Sequence, residues 1–196
     1  MRQPHRALVG LAAAVAIVGA GGPVQALPAL LAQKPTLAPY VPTPQDVVER
    51  MLELAEVTSK DVVYDLGCGD GRLVITAAKK YGARGVGIDI DPERIAESRA
   101  NAKKEGVEGL VEFRQQDALE ADVSQATVVT LYLLSAANLK LRPRLLAQLR
   151  PGARIVSHQF GMGDWVPDKT ETFTDSLGAN RLLYLWRVGG DKKPPQ

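Results

Sequence analysis

Asp61-Val62-Val63-Tyr64-Asp65-Leu66-Gly67-Cys68-Gly69-Asp70-Gly71-Arg72 is a short apolar run that ends in an acid and passes into three alternate glycines. It reads as a buried parallel strand turning sharply into a helix, the place where a doubly wound α/β sheet holds a nucleotide-like ligand. The glycine spacing narrows the choice. A dinucleotide fingerprint runs Gly-x-Gly-x-x-Gly, whereas here the third glycine arrives one place early, at Gly71, giving Asp-x-Gly-x-Gly-x-Gly from Asp65. A nicotinamide-dependent oxidoreductase therefore ranks last among the enzyme readings. The bland alternative is a glycine-rich strand-to-helix turn that binds nothing.

That spacing resembles motif I of the class I S-adenosylmethionine (SAM)-dependent methyltransferases. The resemblance implies a doubly wound, Rossmann-like α/β sheet, mostly parallel with a C-terminal antiparallel hairpin, and SAM as cofactor. SAM carries no phosphate, so the loop must admit a slim zwitterion against bare backbone. Glycines at 67, 69 and 71 permit the positive φ angles and close approach that this needs. The following helix points its N–H groups at the ligand carboxylate, and Asp65 meets the ammonium. Cys68, the lone cysteine, belongs to this cofactor turn as a small packed residue and not as a nucleophile.

Arg84-Gly85-Val86-Gly87-Ile88-Asp89-Ile90 reads as the next strand. Its terminal Asp89 stands about twenty residues beyond the glycines, where a ribose-binding acid belongs. Asp91-Pro92 supplies a capping residue and a proline at the first helical position, which leaves Asp89 and its neighbour Ile90 for the cofactor. Asp117 follows the strand-like Val111–Gln116 and resembles the family's adenine-edge contact, with Ala118 beside it. Turn chemistry is the plain alternative for Asp117.

The chain has 196 residues, the size of one α/β domain, with 45% hydrophobic residues and a formal charge of +2. Without Arg2 and Arg6 the remainder carries 22 basic and 22 acidic side chains, so charge makes no case for nucleic acid. His5 and His158 are too few for a metal site. Residues 1–26 resemble an export signal or membrane anchor: Arg2 and Arg6, the apolar run Ala7–Val18, then Val24-Gln25-Ala26. The expected organisation is that segment, a linker over 27–38, the catalytic domain over 39–188 and a disordered polar tail over 189–196. An exported or membrane-associated protein follows from the first segment. SAM is made in the cytosol, so a cytoplasmic protein with an unused segment or a misassigned start stays open.

Pro39-Tyr40-Val41-Pro42-Thr43-Pro44 is a stiff lead-in, with Thr43, Pro44 and Asp46 as a capping box for a helix whose stripe is Val47, Val48, Met51, Leu52, Leu54 and Ala55. Tyr40 then sits where it folds over the ligand as a lid; surface packing is the alternative. Helices are expected over Leu73–Tyr81 and Pro92–Glu105, a fourth strand over Ala126–Leu134, and a helical run from Ser135 that Pro143 kinks or splits. A fifth strand over Arg154–His158 and a hairpin of Lys169–Thr174 with Arg181–Val188 close the sheet. Asp65, Asp89, Asp117, Tyr132 and His158 should then share one rim. Tyr132, beside the reactive methyl, is the candidate catalytic wall. A lysine amine has a reference pKa of about 10.4, and desolvation against an aromatic wall beside a sulfonium lowers it without a dedicated base. An ordinary core tyrosine is the alternative.

From Pro39 to Trp165 the lead-in, the glycine turn, Val128–Leu134, Leu141-Arg142-Pro143 and Pro151-Gly152-Ala153-Arg154-Ile155-Val156-Ser157-His158 are together similar to one subgroup. These are the archaeal broad-specificity protein lysine methyltransferases and the mitochondrial enzymes that modify the ATP synthase c subunit and the adenine nucleotide translocase. The resemblance implies a protein substrate with a lysine side chain as acceptor; Pro143 and Arg154 are expected to be structural even where they match. Two other functions compete: methylation of a small molecule or lipid, favoured by membrane proximity, and a SAM-binding module without catalysis.

Overall fold

Short runs of Val, Ile and Leu become buried strands, and the intervening stretches with apolar residues at helical spacing become the helices that cover them. The computed structural model describes residues 37–190. The export-like segment, the linker up to residue 36 and the tail from residue 191 lie outside the described residues. The elements are α1 (Gln45–Leu54), β1 (Val62–Leu66), α2 (Arg72–Tyr81), β2 (Arg84–Asp89), α3 (Pro92–Lys104), β3 (Val111–Gln115), a 3-10 turn (Ala118–Glu120), β4 (Val128–Leu131), α4 (Ser135–Gln148), β5 (Arg154–His158), β6 (Lys169–Thr174) and β7 (Asn180–Arg187). Among the described residues no helix is long and apolar enough to cross a membrane.

These strands form one seven-stranded sheet in the order β3-β2-β1-β4-β5-β7-β6. The first five are parallel, and β7 runs antiparallel to both β5 and β6. Neighbours of β1 lead off in opposite directions, to β2 and to β4, so a crevice opens at its carboxyl end. Alternate strand residues feed two cores. Val63, Val128, Val156 and Leu183 pack with α1, α2 and α3, while Tyr64, Val129, Ile155 and Trp186 pack with α4. Leu37 and Ala38, read as linker from the sequence, pack against the second core.

Two expectations are corrected and a third is narrowed. The capping box before α1 does not form: Pro44 is the N-cap without a side-chain hydrogen bond. The Asp46 carboxylate instead accepts from the Val47 and Ser176 main-chain N–H groups, tying α1 to the β6–β7 turn. Strand β4 stops at Leu131, so Tyr132-Leu133-Leu134 is a connection to α4 and not strand. Of the kink or split expected at Pro143, the split does not occur: α4 is continuous through it. Proline removes the N–H that would bond Leu139's carbonyl, and Leu139 lies on the exposed face, where water can take that carbonyl. Arg154 is structural: at the amino end of the sheet it donates to Ala55 O (2.6 Å) and pairs with the buried Asp61.

Candidate functional site

A cleft of about 210 Å³ lies over the carboxyl ends of β1, β2 and β4. Tyr40, Asp65, Gly67, Cys68, Gly69, Asp89, Ile90, Asp117, Ala118 and Tyr132 all line it. Gly71 does not. It is the left-handed residue before α2, and a Cβ there would lie 2.6 Å from Phe113 Cε1 and 2.8 Å from Ser98 Cβ. Its missing side chain lets α2 and α3 close on β3. Gly67 and Gly69 also adopt positive φ, +85° and +53°. The turn is pinned at Ile88 O, which accepts from Gly67 N (2.8 Å) and Cys68 N (3.0 Å). Cys68 is buried, its thiol pushed up by burial and by the charge of Asp65; it is inert.

Asp65 ends up inside because its strand is central. In register it faces Gly87 on one side and Thr130 on the other, and Thr130 Oγ1 donates to its Oδ1 at 2.8 Å. Burial pushes its carboxyl up to about 7; the Thr130 bond opposes this, and the charges of Asp89 and Asp70 add to it. Among the described residues no cation pairs with it. A carboxylate so placed fits a ligand bearing positive charge, as SAM does at its ammonium and sulfonium.

Asp89 is less free than its sequence suggests. Although Asp91 caps α3 by accepting from Glu93 N (2.8 Å), Asp89 Oδ2 accepts from Gly69 N (2.9 Å) and Oδ1 from Asp91 N (3.0 Å). The spacing signalled a side chain at this rim but not its second duty as a brace of the glycine turn. Each carboxylate oxygen keeps a further lone pair for the cleft. Asp117 caps the 3-10 turn, accepting from Leu119 N at 2.9 Å, so turn chemistry and a place in the cleft coexist there. One first-turn N–H of α2, that of Arg72, is taken by Asp70 Oδ1 at 3.2 Å.

The outer wall is the lead-in strap. Tyr40 is half exposed, and its ring lies over Gly69, where a Cβ would be 2.4 Å from Cε2. Two arginines that the sequence did not mark hold this strap. Arg94, in the first turn of α3, stands 4.7 Å from the Tyr40 ring centroid and pairs with Glu97. Arg72 donates to Thr43 O at 2.6 Å while paired with Asp70. No local pattern announces contacts between a loop and helices this far along the chain. His158 closes β5 at the same rim, as expected, but is buried behind Tyr132, with ring centroids 4.0 Å apart.

The comparisons agree with this geometry. The model of the family described as the ANTKMT methyltransferase domain matches residues 65–169. A protein-lysine N-methyltransferase of Saccharolobus islandicus is 47% identical over 79% of this chain and 96% of its own length. The human lysine N-methyltransferase of the ATP synthase c subunit is 33% identical over 66% of this chain, which spans 55% of that protein. A solved Salinibacter ruber RNA methyltransferase bound to S-adenosyl-L-homocysteine is 56% identical, with a TM-score of 0.73, covering 80% of this chain and 98% of that one. Together with the glycine turn at the switch point of the sheet, these matches show that the chain belongs to the ANTKMT methyltransferase domain family, whose fold is that of the class I SAM-dependent methyltransferases.

Proposed function

We propose that this chain transfers a methyl group from SAM to the amine of a protein lysine side chain. The observation that carries the reading is the 47% identity along 96% of a protein-lysine N-methyltransferase. Charge in the cleft supports it. Asp65, Asp70, Asp89, Asp91 and Asp117 line it against Arg72 and Arg94, and those two arginines are engaged by Asp70 and Glu97. Such a field draws a cationic cofactor and an ammonium, and repels a polyanion.

Within this reading Asp65 receives the cofactor ammonium, Asp89 the ribose hydroxyls, and Asp117 with Ala118 the adenine edge. Gly67, Cys68 and Gly69 offer bare backbone, and Tyr40 covers them. Tyr132 lines the acceptor channel, where desolvation and nearby positive charge keep the amine unprotonated. When bound, SAM supplies a methyl carbon activated by its sulfonium; the C–N bond forms as the C–S bond breaks, with that electron pair left on sulfur. The surplus N–H proton leaves to bulk water once the methylated side chain is released. The chain's contribution is alignment and exclusion of water. The apolar run at residues 7–18 adds membrane proximity to this reading.

Asp89→Ala is expected to weaken SAM binding by about 1–3 kcal/mol, a charged hydrogen-bonding group being lost. Calorimetric titration of the folded variant checks this, and unchanged affinity would remove the ribose assignment. The reaction itself is tested by incubating the full chain with methyl-labelled SAM and separated protein, RNA, lipid and small-molecule fractions of its own cells. Label on protein, mapped to lysine by mass spectrometry, is the expected result. The Salinibacter ruber relative's description makes RNA the second reading; label there alone would replace the first, and label only in lipid or small molecules would replace both.

A further inference from the structure

Where β4 and β5 end, three aromatic rings meet. The His158 ring lies 4.0 Å from that of Tyr132, and Phe160 stacks 6.3 Å from Tyr132 with planes 27° apart. His158 is fully buried, and among the described residues neither Nδ1 nor Nε2 has a hydrogen-bond partner. A neutral imidazole carries one N–H and one acceptor nitrogen, and leaving such groups unpaired in the interior is costly. A phenylalanine would stack on Tyr132 without that cost.

The backbone around the ring is also unusual. Gln159 adopts φ +65°, rare for a residue with a side chain. Two bonds to β7 hold it there: its N donates to Leu182 O, and its Oε1 accepts from Leu182 N, both at 2.7 Å. The reversal brings Phe160 back towards Tyr132. Ser157 Oγ (2.6 Å) and Asn138 Nδ2 (3.0 Å) donate to Phe160 O and fix the turn. Strain and buried polar groups thus converge on the aromatic corner, a common mark of a working site. The corner lies on the β4 side of β1, opposite the β2–β3 side that carries Asp89 and Asp117.

We infer that this corner seats the acceptor amine, with His158 as its hydrogen-bond partner, reached when the Tyr132 ring swings off the imidazole. This rests on the lysine reading. In the seated state a nitrogen of His158 accepts one amine N–H and turns the amine lone pair towards the methyl. Burial and the charge of Arg181 hold the imidazole down to about 4, so it stays uncharged beside an incoming amine and a sulfonium.

The test compares His158→Phe and His158→Gln with the parent chain, using methyl-labelled SAM and the cell's own protein fraction, alongside SAM affinity and thermal melting. His158→Phe should melt about 3–8 °C higher, an unpaired buried group having gone. It should bind SAM within about twofold of the parent, yet lose about 100-fold in kcat/KM for the acceptor, a loss of the size expected of a positioned hydrogen-bonding group. His158→Gln, which keeps an acceptor, should recover about tenfold of that. Undiminished kcat/KM in His158→Phe, a lower melting point, or SAM affinity falling in step with activity would each overturn the inference. The parent chain's label reports separately on the lysine reading, and label in RNA would overturn the amine as occupant whatever the variants do.

Discussion

Gly69→Val is expected to abolish SAM binding, by 100-fold or more on the scale of about 1.4 kcal/mol per decade, in a chain that still folds. The substituted Cβ would sit 2.4 Å from Tyr40 Cε2 at a φ of +53°. A β-branched residue in that conformation is strained, and its methyls fill the space between turn and strap. Tyr40 is half exposed and can swing outward, so the collision costs the cleft more than the fold. Gly106→Val separates the two effects: Gly106 has φ +68° but nothing within 4 Å of its Cβ position, so it should lose stability and keep affinity. Calorimetric titration and thermal melting of both variants read the difference. A folded Gly69→Val chain with normal SAM affinity would move the site elsewhere.

Asp65→Asn is expected to trade function for stability. The native carboxyl is pushed up to about 7, against about 3.9 in an unfolded chain. Between those values the folded state binds more protons than the unfolded one, so the ligand-free protein loses stability as pH rises from about 4 to about 7. Asparagine keeps an acceptor for Thr130 and has no charge to bury. At pH 8 the variant should therefore gain on the order of 2–4 kcal/mol, raising the melting point by about 5–10 °C, while at pH 4 the two proteins should melt together. SAM affinity should fall by 100-fold or more in the variant, an ionised partner of the ammonium being lost, and in the parent it should rise as pH goes from about 6 to 8 and the carboxylate forms. Melting points that differ equally at both pH values would show that the charge of Asp65 is not what the fold resists.

Much of this was legible because the signals are local. An apolar run closed by Asp65 and alternate glycines specifies strand, turn and helix within twelve consecutive positions, and Asp89 follows at the interval that one crossover requires. Asp91-Pro92 named the start of α3 for the same reason. What the sequence could not carry was competition between distant partners. The capping box at Thr43–Asp46 is a sound local pattern, yet Asp46 bonds Ser176 across the domain, and tertiary contact outranks a cap of about 1 kcal/mol. Gly71 matched the motif and also lets α2 and α3 pack on Phe113, a use that spacing alone does not reveal. Arg94 reaches Tyr40, and His158 hides behind Tyr132; both depend on which strand ends lie side by side.

The last strand among the described residues is an interior one. β7 lies between β5 and β6, and its Trp186, fully buried, donates to Trp165 O at 2.8 Å. While the ribosome is still adding Asn180–Arg187, β5 presents a bare edge and β6 has nothing to pair with, so a nascent chain carries adhesive backbone until that segment is made. Loss of a few residues from the end of this domain would leave every cleft residue in the polypeptide and still return the chain to that unfinished, aggregation-prone condition.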